Sequence, residues 1–399
     1  MCGLAGFWSR GARPPDLASV ASAMADRIRH RGPDDEGVWI DERDGLALAH
    51  RRLAIVDLSA AGHQPMLSSS GRWALVYNGE IYNHLDIRRD LERVGAASDW
   101  RGHSDTETLL AAIEHWGVDQ ALRRSVGMFA IALWDRQEHA LWLARDRIGE
   151  KPLYYGWQGE SFLFGSELKA LRAHPAFSGA VDRNAVAMLL RQNYIPSPQS
   201  IYAGLHKLPP GSWMRLGRDG RELQPVPYWS LAEVAERGQR EPFAGNDQEA
   251  IAELRTRLGA SVGGQLMADV PLGVLLSGGI DSSLITAIMQ EQSTGPVRSF
   301  TIGFDEPQFD ESVAASAVAR HLGTDHTELR LAGADALPLV SRLPDMYDEP
   351  FADSSQLPTF LVMQLARQHV TVALSGDGGD ELFGGYNRYF LGQIGRAHV

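Results

Sequence analysis

The sequence predicts two domains, the first α+β and the second α/β with a parallel sheet, and three observations lead there. The chain has 399 residues, well above the usual domain length of about 100–200. From Cys2 to about Leu171, short strand-like runs are interspersed with a few helical ones. From residue 247 onward, helix-length segments alternate with short apolar runs, the pattern of parallel strands covered by helices.

In the first region, Asp16 follows Pro14 and Pro15 and is placed to cap a helix whose apolar residues Leu17, Val20, Met24 and Ile28 recur at helical spacing. Arg29 to Asp34 break that helix. Trp73–Tyr77, Met128–Trp134, Leu141–Ala144, Leu153–Trp157 and Phe162–Phe164 are aromatic and aliphatic, bounded by Gly, Asp or Asn, and read as sheet strands. Residues 172–246 shift to Pro, Gly and polar residues (IPSPQS, KLPPGS, LQPVPYW) and read as a linker with a little structure of its own. The expected division is therefore 2–171, 172–246 and 247–399. In the last part, helices are expected over Glu249–Leu266, Ser282–Gln292, Glu311–Leu322 and Gln356–Gln368, and strands over Val274–Leu276, Ser299–Ile302 and Thr371–Leu374. No internal repeat or low-complexity tract interrupts this pattern.

Composition narrows the function. With 44% hydrophobic and 22% charged residues, the chain has enough apolar side chains for two cores and is not a disordered protein. Its net charge of −12 disfavours nonspecific binding to nucleic acid or an anionic membrane. No apolar run approaches the ~20 residues of a membrane span, and MCGLAGFWSR has neither a basic leader nor a signal-length apolar core, so a cytoplasmic protein is expected. The single cysteine excludes an internal disulfide framework and a multi-thiolate zinc site.

That cysteine is Cys2. Removal of Met1, expected because the side chain at position two is small, would set its thiol beside its own α-amine. An α-amine with a pKa of about 7.7–8.0 can take the thiol proton directly or through water, so nucleophile and base would share one residue. A small buried hydrophobe at a strand start is the plainer alternative. In Tyr77-Asn78-Gly79-Glu80, the amide of Asn78 and the N–H of Gly79 are candidate oxyanion donors, and Asn-Gly is equally a hairpin signal. Arg52 could hold an α-carboxylate bidentately, or be a surface arginine. Asp105 lies between Ser104 and Glu107, which read as a capping box, so a carboxylate is favoured there without any ligand.

The first domain resembles the glutamine amidotransferase domain of the N-terminal-nucleophile type. The resemblance is carried in order by MCGLAGF, RHRGPD (Arg29 to Asp34), HRRLAIVD (His50 to Asp57), YNGEIYN (Tyr77 to Asn83), SDTE (Ser104 to Glu107) and RDRIGEKPLYY (Arg145 to Tyr155). It implies an N-terminal-nucleophile hydrolase sandwich, two antiparallel sheets between helices, with Cys2 as nucleophile and Asn78 and Gly79 as oxyanion hole. It further implies a glutamine held by Arg52, Leu53, Ala54, Ile55 and Val56, by Asn78, Gly79 and Glu80, and by Asp105.

A second chemical centre follows. Val274-Leu275-Leu276-Ser277-Gly278-Gly279-Ile280-Asp281-Ser282-Ser283 runs from an apolar strand into a helix. The glycines admit a close backbone approach, and the N–H groups at the helix start make an anion site. Ser277 and Ser282 add hydroxyls, while Asp281 would repel a phosphate unless Mg²⁺ stands between them. The lysine of a P-loop is missing, and a Gly-Gly turn that merely caps a helix is the alternative. A second acidic turn, Ser375-Gly376-Asp377-Gly378-Gly379-Asp380-Glu381, follows another strand. Together the two turns are similar to the ATP pyrophosphatase domain of asparagine synthetases, whose loop reads SGG-x-DSS. The resemblance implies that Leu276, Ile302, Ser375 and Gly376 contact the adenosine part of ATP, with the Ser277–Ser282 loop around the phosphates. It implies that Asp281 and Asp380 hold magnesium and pyrophosphate. Asp377, where some members carry glutamate, would serve acceptor positioning or adenylate formation, and Asp348 to Ser355 looks like the family's acceptor-facing segment.

The two domains in this order resemble the glutamine-hydrolysing asparagine synthetases of bacterial type. The resemblance implies a carbon–nitrogen ligase with glutamine, aspartate and ATP as small-molecule substrates, Mg²⁺ as cofactor, and neither nucleic acid nor membrane as partner; a homodimer stays open. Glutamine would be hydrolysed through a Cys2 thioester, and ammonia would displace AMP from an activated aspartate. The motifs say little about the acceptor, so another carboxylate, on a surface sugar or a secondary metabolite, is the second reading, and a simple glutaminase or noncatalytic remnant the third. Sequences of the family continue beyond the second acidic turn, whereas this chain stops at Gly392 to Val399, and Arg388 is the basic residue between Gln368 and Gln393. A fragment with a working glutaminase and weak or absent synthesis is the expectation.

Overall fold

The computed structural model describes all residues except 12, 97–98, 219–223, 306–309, 388 and 390–399. Arg388 and Gly392 to Val399, invoked above, lie outside the described residues. The chain divides into two compact units. One comprises Met1–Ala244 with Pro344–Ala352; the other comprises Gly245–Leu343 and the chain from Asp353 onward.

Among the described residues, the first unit is built on twelve strands: β1 (Gly3–Ser9), β2 (Asp35–Asp41), β3 (Leu46–Arg52), β4 (Met66–Leu67), β5 (Trp73–Ile81), β6 (Gly127–Asp135), β7 (Ala140–Arg145), β8 (Tyr154–Gln158), β9 (Ser161–Gly165), β10 (Leu205–Lys207), β11 (Ser212–Leu216) and β12 (Val226–Pro227). They form two six-stranded sheets, in the orders β10-β8-β9-β1-β3-β2 and β12-β11-β7-β6-β5-β4. The ladders are antiparallel, as Gly3 opposite Arg51 and Gly79 opposite Phe129 illustrate. Leu4, Leu48, Val76, Ala132, Trp134, Leu143 and Phe164 fill the space between the sheets. The outer face of one sheet is covered by the helix Leu17–Asp26 through Leu17, Ala21 and Met24. The outer face of the other is covered by the helices His84–Arg93 and Asp105–Trp116 through Ile87, Leu91, Leu109 and Ile113. This is the sandwich of two antiparallel sheets between helices that the resemblance implies. Asp16 caps the first helix as expected, its carboxylate accepting from Ser19 N at 3.0 Å.

Two boundaries differ from the sequence reading. Residues 172–244 are not a linker but part of the first unit. Leu205–Lys207 pair with Tyr154–Gly156, and Trp213–Leu216 pair with Leu141–Ala144, each extending a sheet. These strands are too short, and too interrupted by Pro and Gly, to show an alternation in sequence. The second difference is Pro344–Ala352, which lies in sequence between the two stretches of the second unit yet belongs to the first. There Asp348 accepts from Leu168 N at 2.6 Å and Lys169 N at 3.3 Å, capping the short helix Leu168–Leu171. Glu349 accepts from Ile201 N at 2.8 Å and pairs with Lys207 at 2.5 Å. The carboxylates of Asp348 and Glu349 are therefore occupied within the first unit.

In the second unit, β13 (Leu272–Leu275), β14 (Arg298–Phe304), β15 (Asp325–Leu331) and β16 (Val372–Leu374) form a four-stranded parallel sheet in the order β15-β14-β13-β16. Val262, Val274, Ile288 and Leu374 form a core on one side of it, and Phe300, Leu365 and Val370 form another. The helix Asp247–Gln265 starts at a complete capping box of Asn246 and Glu249. No helix among the described residues is long and apolar enough to cross a membrane.

Candidate functional site

Cys2 stands immediately before β1, and the pairing of Gly3 with Arg51 puts the end of β3 beside it. Its Sγ accepts from Leu53 N at 3.3 Å and lies 3.5 Å from Leu53 O. Arg31 Nε donates to Cys2 O at 2.9 Å, and Arg31 is itself held by Glu167 at 2.7 Å. Burial pushes Glu167 up, but His30, Arg31 and Lys169 outweigh it and hold the carboxyl down at about 2. Burial pushes the Cys2 thiol up, against the Leu53 N–H, the N-terminal ammonium and Arg52. A thiol so placed is protonated at neutral pH and needs a base to react.

Beside Cys2 lies a cavity lined by Arg52 at the end of β3, by Leu53, Ile55 and Val56 beyond it, by Asn78, Gly79 and Glu80 of β5, and by Asp105. Ala54 does not line it; its N–H donates instead to Asp34 at 2.9 Å. Arg52 is aimed by hydrogen bonds to Ser59 O at 3.0 Å and to Asp57 O. Gly62 makes room for it, since a Cβ there would collide with the guanidinium.

Asn78 and Gly79 are interior to β5 rather than the tip of a hairpin, so the turn reading of Asn-Gly does not hold. Gly79 is required by closeness alone, because a Cβ would run into Met128 O on β6. Asn78 is buried, and its Nδ2 has no hydrogen-bond partner among the described residues. An unmatched buried donor costs about 1–3 kcal/mol, so its retention beside the thiol points to a ligand oxygen. Its neighbour is fixed on both sides: Tyr77 N donates to Gln64 Oε1 at 2.7 Å, and His50 Nε2 lies 3.0 Å from Tyr77 O. Burial pushes His50 down to about 4, so its ring is neutral.

Asp105 opens the helix Asp105–Trp116. One carboxylate oxygen accepts from Tyr77 OH at 2.6 Å and Ile81 N at 2.9 Å, which leaves the other, 3.5 Å from Thr106 Oγ1, for a cation in the cavity. Ser104 Oγ accepts from Glu107 N at 3.3 Å, but Glu107 turns to the N–H groups of Arg101 and Gly102 at 2.9 and 3.2 Å. Only half of the expected capping box forms. Burial, then Asp105, push Glu80 up to about 7, against Lys151 and the N-terminus. Gln64, Tyr77, Thr106, Met128 and Lys151 also line the cavity and escaped the sequence reading. A signal existed for Lys151, which lies inside RDRIGEKPLYY.

The second unit carries the glycine loops at the carboxyl ends of the adjacent strands β13 and β16. Gly278 has φ +80°, and a Cβ there would come within 2.6 Å of Ala315 N, so both conformation and space demand glycine. Ser277 Oγ and Ser282 Oγ are 2.9 Å apart, and Gly279 N donates to Ser277 Oγ at 3.3 Å. The helix Ile280–Gln292 has no side-chain cap, which leaves its first N–H groups for an anion. A Cβ at Gly376 would come within 2.7 Å of Ser282 N, and one at Gly379 would strike the Asp281 carboxylate, so the two loops meet. Ser375 Oγ donates to Asp377 at 3.0 Å. The Leu276 side chain is buried against Ala315 and Ala319, its N–H donates to Phe300 O at 2.9 Å and its carbonyl accepts from Thr301 Oγ1, whereas Ile302 on β14 is half-buried.

Among the described residues, neither Asp281 nor Asp380 is in an ion pair, and no group of three or more metal-ligating side chains forms. Two uncompensated carboxylates beside an anion-binding helix start fit magnesium, which takes one or two protein carboxylates and completes its shell with phosphate and water.

A glutamine amidotransferase domain family matches residues 1–229, and an asparagine synthase family matches residues 253–398. A Methanocaldococcus jannaschii relative named as a glutamine-hydrolyzing asparagine synthetase is 34% identical, over 98% of this chain and 77% of its own length. The chain belongs to the glutamine-hydrolysing asparagine synthetase family. Asparagine synthetase [glutamine-hydrolyzing] 1 of Bacillus subtilis is 33% identical over 98% of this chain and 59% of its own, and a Mycobacterium tuberculosis member of the family is 37% identical over 98% and 61%. The chain thus spans about three fifths of the length of these last two family members.

Proposed function

We propose that this chain hydrolyses glutamine at Cys2 and uses the ammonia to convert aspartate to asparagine with ATP. The observation that carries the reading is the buried, unmatched Asn78 amide beside the Cys2 thiol, in a cavity that also holds Arg52 and Asp105. These groups answer, in turn, a developing oxyanion, an electrophilic carbon, an α-carboxylate and an α-ammonium. Free glutamine carries all four.

With Met1 removed, the α-amine takes the thiol proton and Sγ attacks the side-chain amide carbon. Asn78 Nδ2 and the Gly79 N–H stabilise the oxyanion. The C–N bond breaks, the leaving nitrogen takes the proton from the α-ammonium, and ammonia departs. Water then attacks the thioester, releasing glutamate and restoring the thiol.

In the second unit, the helix start after Gly279 and the hydroxyls of Ser277 and Ser282 bind the phosphates, with Ile302, Ser375 and Gly376 towards the adenosine. The aspartate side-chain carboxylate attacks the α-phosphorus, the bond to pyrophosphate breaks, and a β-aspartyl adenylate forms. Ammonia then attacks its carbonyl and AMP leaves. Magnesium, held by Asp281 and Asp380, would neutralise charge on the pyrophosphate. Asp377, tied by Ser375, positions the acceptor or assists adenylate formation. This reading includes a cytoplasmic location.

The test supplies glutamine, aspartate, ATP and Mg²⁺ and follows glutamate, asparagine, AMP and pyrophosphate. Glutamate without aspartate-dependent pyrophosphate would reduce the reading to a glutaminase. Pyrophosphate release only with another carboxylate would change the acceptor.

A further inference from the structure

The reaction above leaves Lys151 without a task. It is 5% exposed, and it lines the cysteine cavity. Its backbone is held from both sides, by Lys151 N donating to Asp146 at 2.9 Å and by Arg145 Nε donating to Lys151 O at 2.7 Å, so the side chain is aimed rather than folded away. Its ammonium donates to Met1 Sδ at 3.1 Å, a thioether being among the weakest acceptors a protein offers. Burial pushes the pKa of Lys151 down.

That sulfur departs with Met1, and the amine on which the chemistry depends then begins where Met1 ended. The bonds from Met1 Sδ to the Cys2 nitrogen span at most about 6 Å, which puts Lys151 Nζ within about 9 Å of that nitrogen. We propose that Lys151 is a positioning residue that holds the α-amine of mature Cys2 in its neutral, proton-accepting form, with the Glu80 carboxylate as the opposing charge. The inference rests on the glutaminase reading of the cavity.

The other charges around the amine are accounted for. Arg31, in the turn before β2, reaches Cys2 O but is neutralised by Glu167. Arg52, the last residue of β3, is tied to Ser59 O and Asp57 O and keeps its charge, which Asp105 opposes at Cys2. In the loop that carries Lys151, the Asp146 carboxylate accepts from the backbone N–H groups of Phe129, Ile148, Gly149, Glu150 and Lys151, and burial pushes Glu150 up. Asp105 keeps its second oxygen towards the cavity, where its charge offsets that of Arg52 at Cys2, so Glu80 is the cavity-lining carboxylate left to oppose Lys151. A second ammonium about 9 Å from the first, at an effective dielectric near 20, is disfavoured by roughly one pH unit.

The single cysteine makes the test specific, because ¹⁵N-cysteine labels one α-amine in the whole chain. Removal of Met1 is verified by mass spectrometry, and the amine is titrated by NMR without substrate, beside the pH profile of kcat/KM for glutamine hydrolysis. Lys151→Met is expected to raise the amine midpoint by about one unit and to move the acidic limb of kcat/KM up with it. Lys151→Arg should restore both, and Glu80→Gln should move the midpoint down. A purely structural lysine would change the height of the profile and leave the midpoint in place. An amine that titrates at the parent pH in both Lys151→Met and Glu80→Gln overturns the proposal. A parent chain that shows the Lys151-dependent midpoint but hydrolyses no glutamine overturns the glutaminase reading and leaves the electrostatic one standing.

Discussion

The two glycine-marked sites of this chain solve opposite problems. In the first unit the groups are fixed before any ligand arrives. Arg52 is tied to two carbonyls, Asp105 to a tyrosine and a backbone N–H, and Cys2 O to Arg31, in surroundings buried enough to push Glu80 up to about 7. In the second unit the carboxylates of Asp281 and Asp380 make no ion pair among the described residues, and the helix after Gly279 starts uncapped. A site that attacks a neutral amide gains from fixed dipoles, because the charge develops only in the transition state. A site for a polyanion and its cation can leave charges open, because the ligands complete them.

Substitutions can break this contrast. The largest effect is expected for Cys2→Ala, which should lower glutamine hydrolysis about 10⁴-fold or more. Pyrophosphate release with ammonia as donor should stay within about twofold of the parent; loss of both would show that the sites are not separable. Asp281→Asn should do the reverse, lowering ATP-dependent pyrophosphate release by about 10²-fold while glutamate release persists. Asn78→Ala should cost about 10²–10³-fold in kcat for hydrolysis, and an unchanged kcat in glutamate-release assays would remove the oxyanion role. For Asp105→Asn the expected change is in KM, raised about 10-fold or more by loss of the charged contact to the α-ammonium.

The smallest effect sharpens the electrostatic half of the comparison. The Glu80 pKa of about 7 in the fold lies above its unfolded value near 4.3, so folding favours the protonated form. The stability that proton brings is fully present below about pH 4.3 and is lost as the pH rises through about 7. Glu80→Gln, which stays neutral, should therefore stabilise the chain at pH 8 by on the order of 3–4 kcal/mol and leave it nearly unchanged at pH 4. Denaturant unfolding at the two pH values reads the difference, and equal shifts at both would mean that the Glu80 pKa does not change on folding.

Much of this was legible in the sequence because the chemistry is written in contiguous runs. Cys2, Arg52, Asn78 and Asp105 each sit in a motif, and the fold gathers them into one cavity. The strands β5 to β9 announced themselves by aromatic and aliphatic runs between turn residues. Hidden were features that exist only through tertiary contact. Gln64 matters because it accepts from Tyr77 N, and Gly62 because it yields space to Arg52. β15 reads DHTELRL, an edge strand too polar for an apolar-run search. Asn78-Gly79 carried a true local turn signal that the long pairing with β6 overrode.

The placement of Pro344–Ala352 bears on how the protein is made. Because the ribosome delivers residues in order, the first unit cannot be finished when its own main stretch emerges; it waits for the intervening segment 245–343 and for the nine residues after it. Until then the Leu168 and Lys169 N–H groups lack Asp348, and Lys207 lacks Glu349. A gene cut after codon 244 would encode a first unit that never receives these partners, beside the Glu167 that steadies Arg31 and, through it, the carbonyl of Cys2.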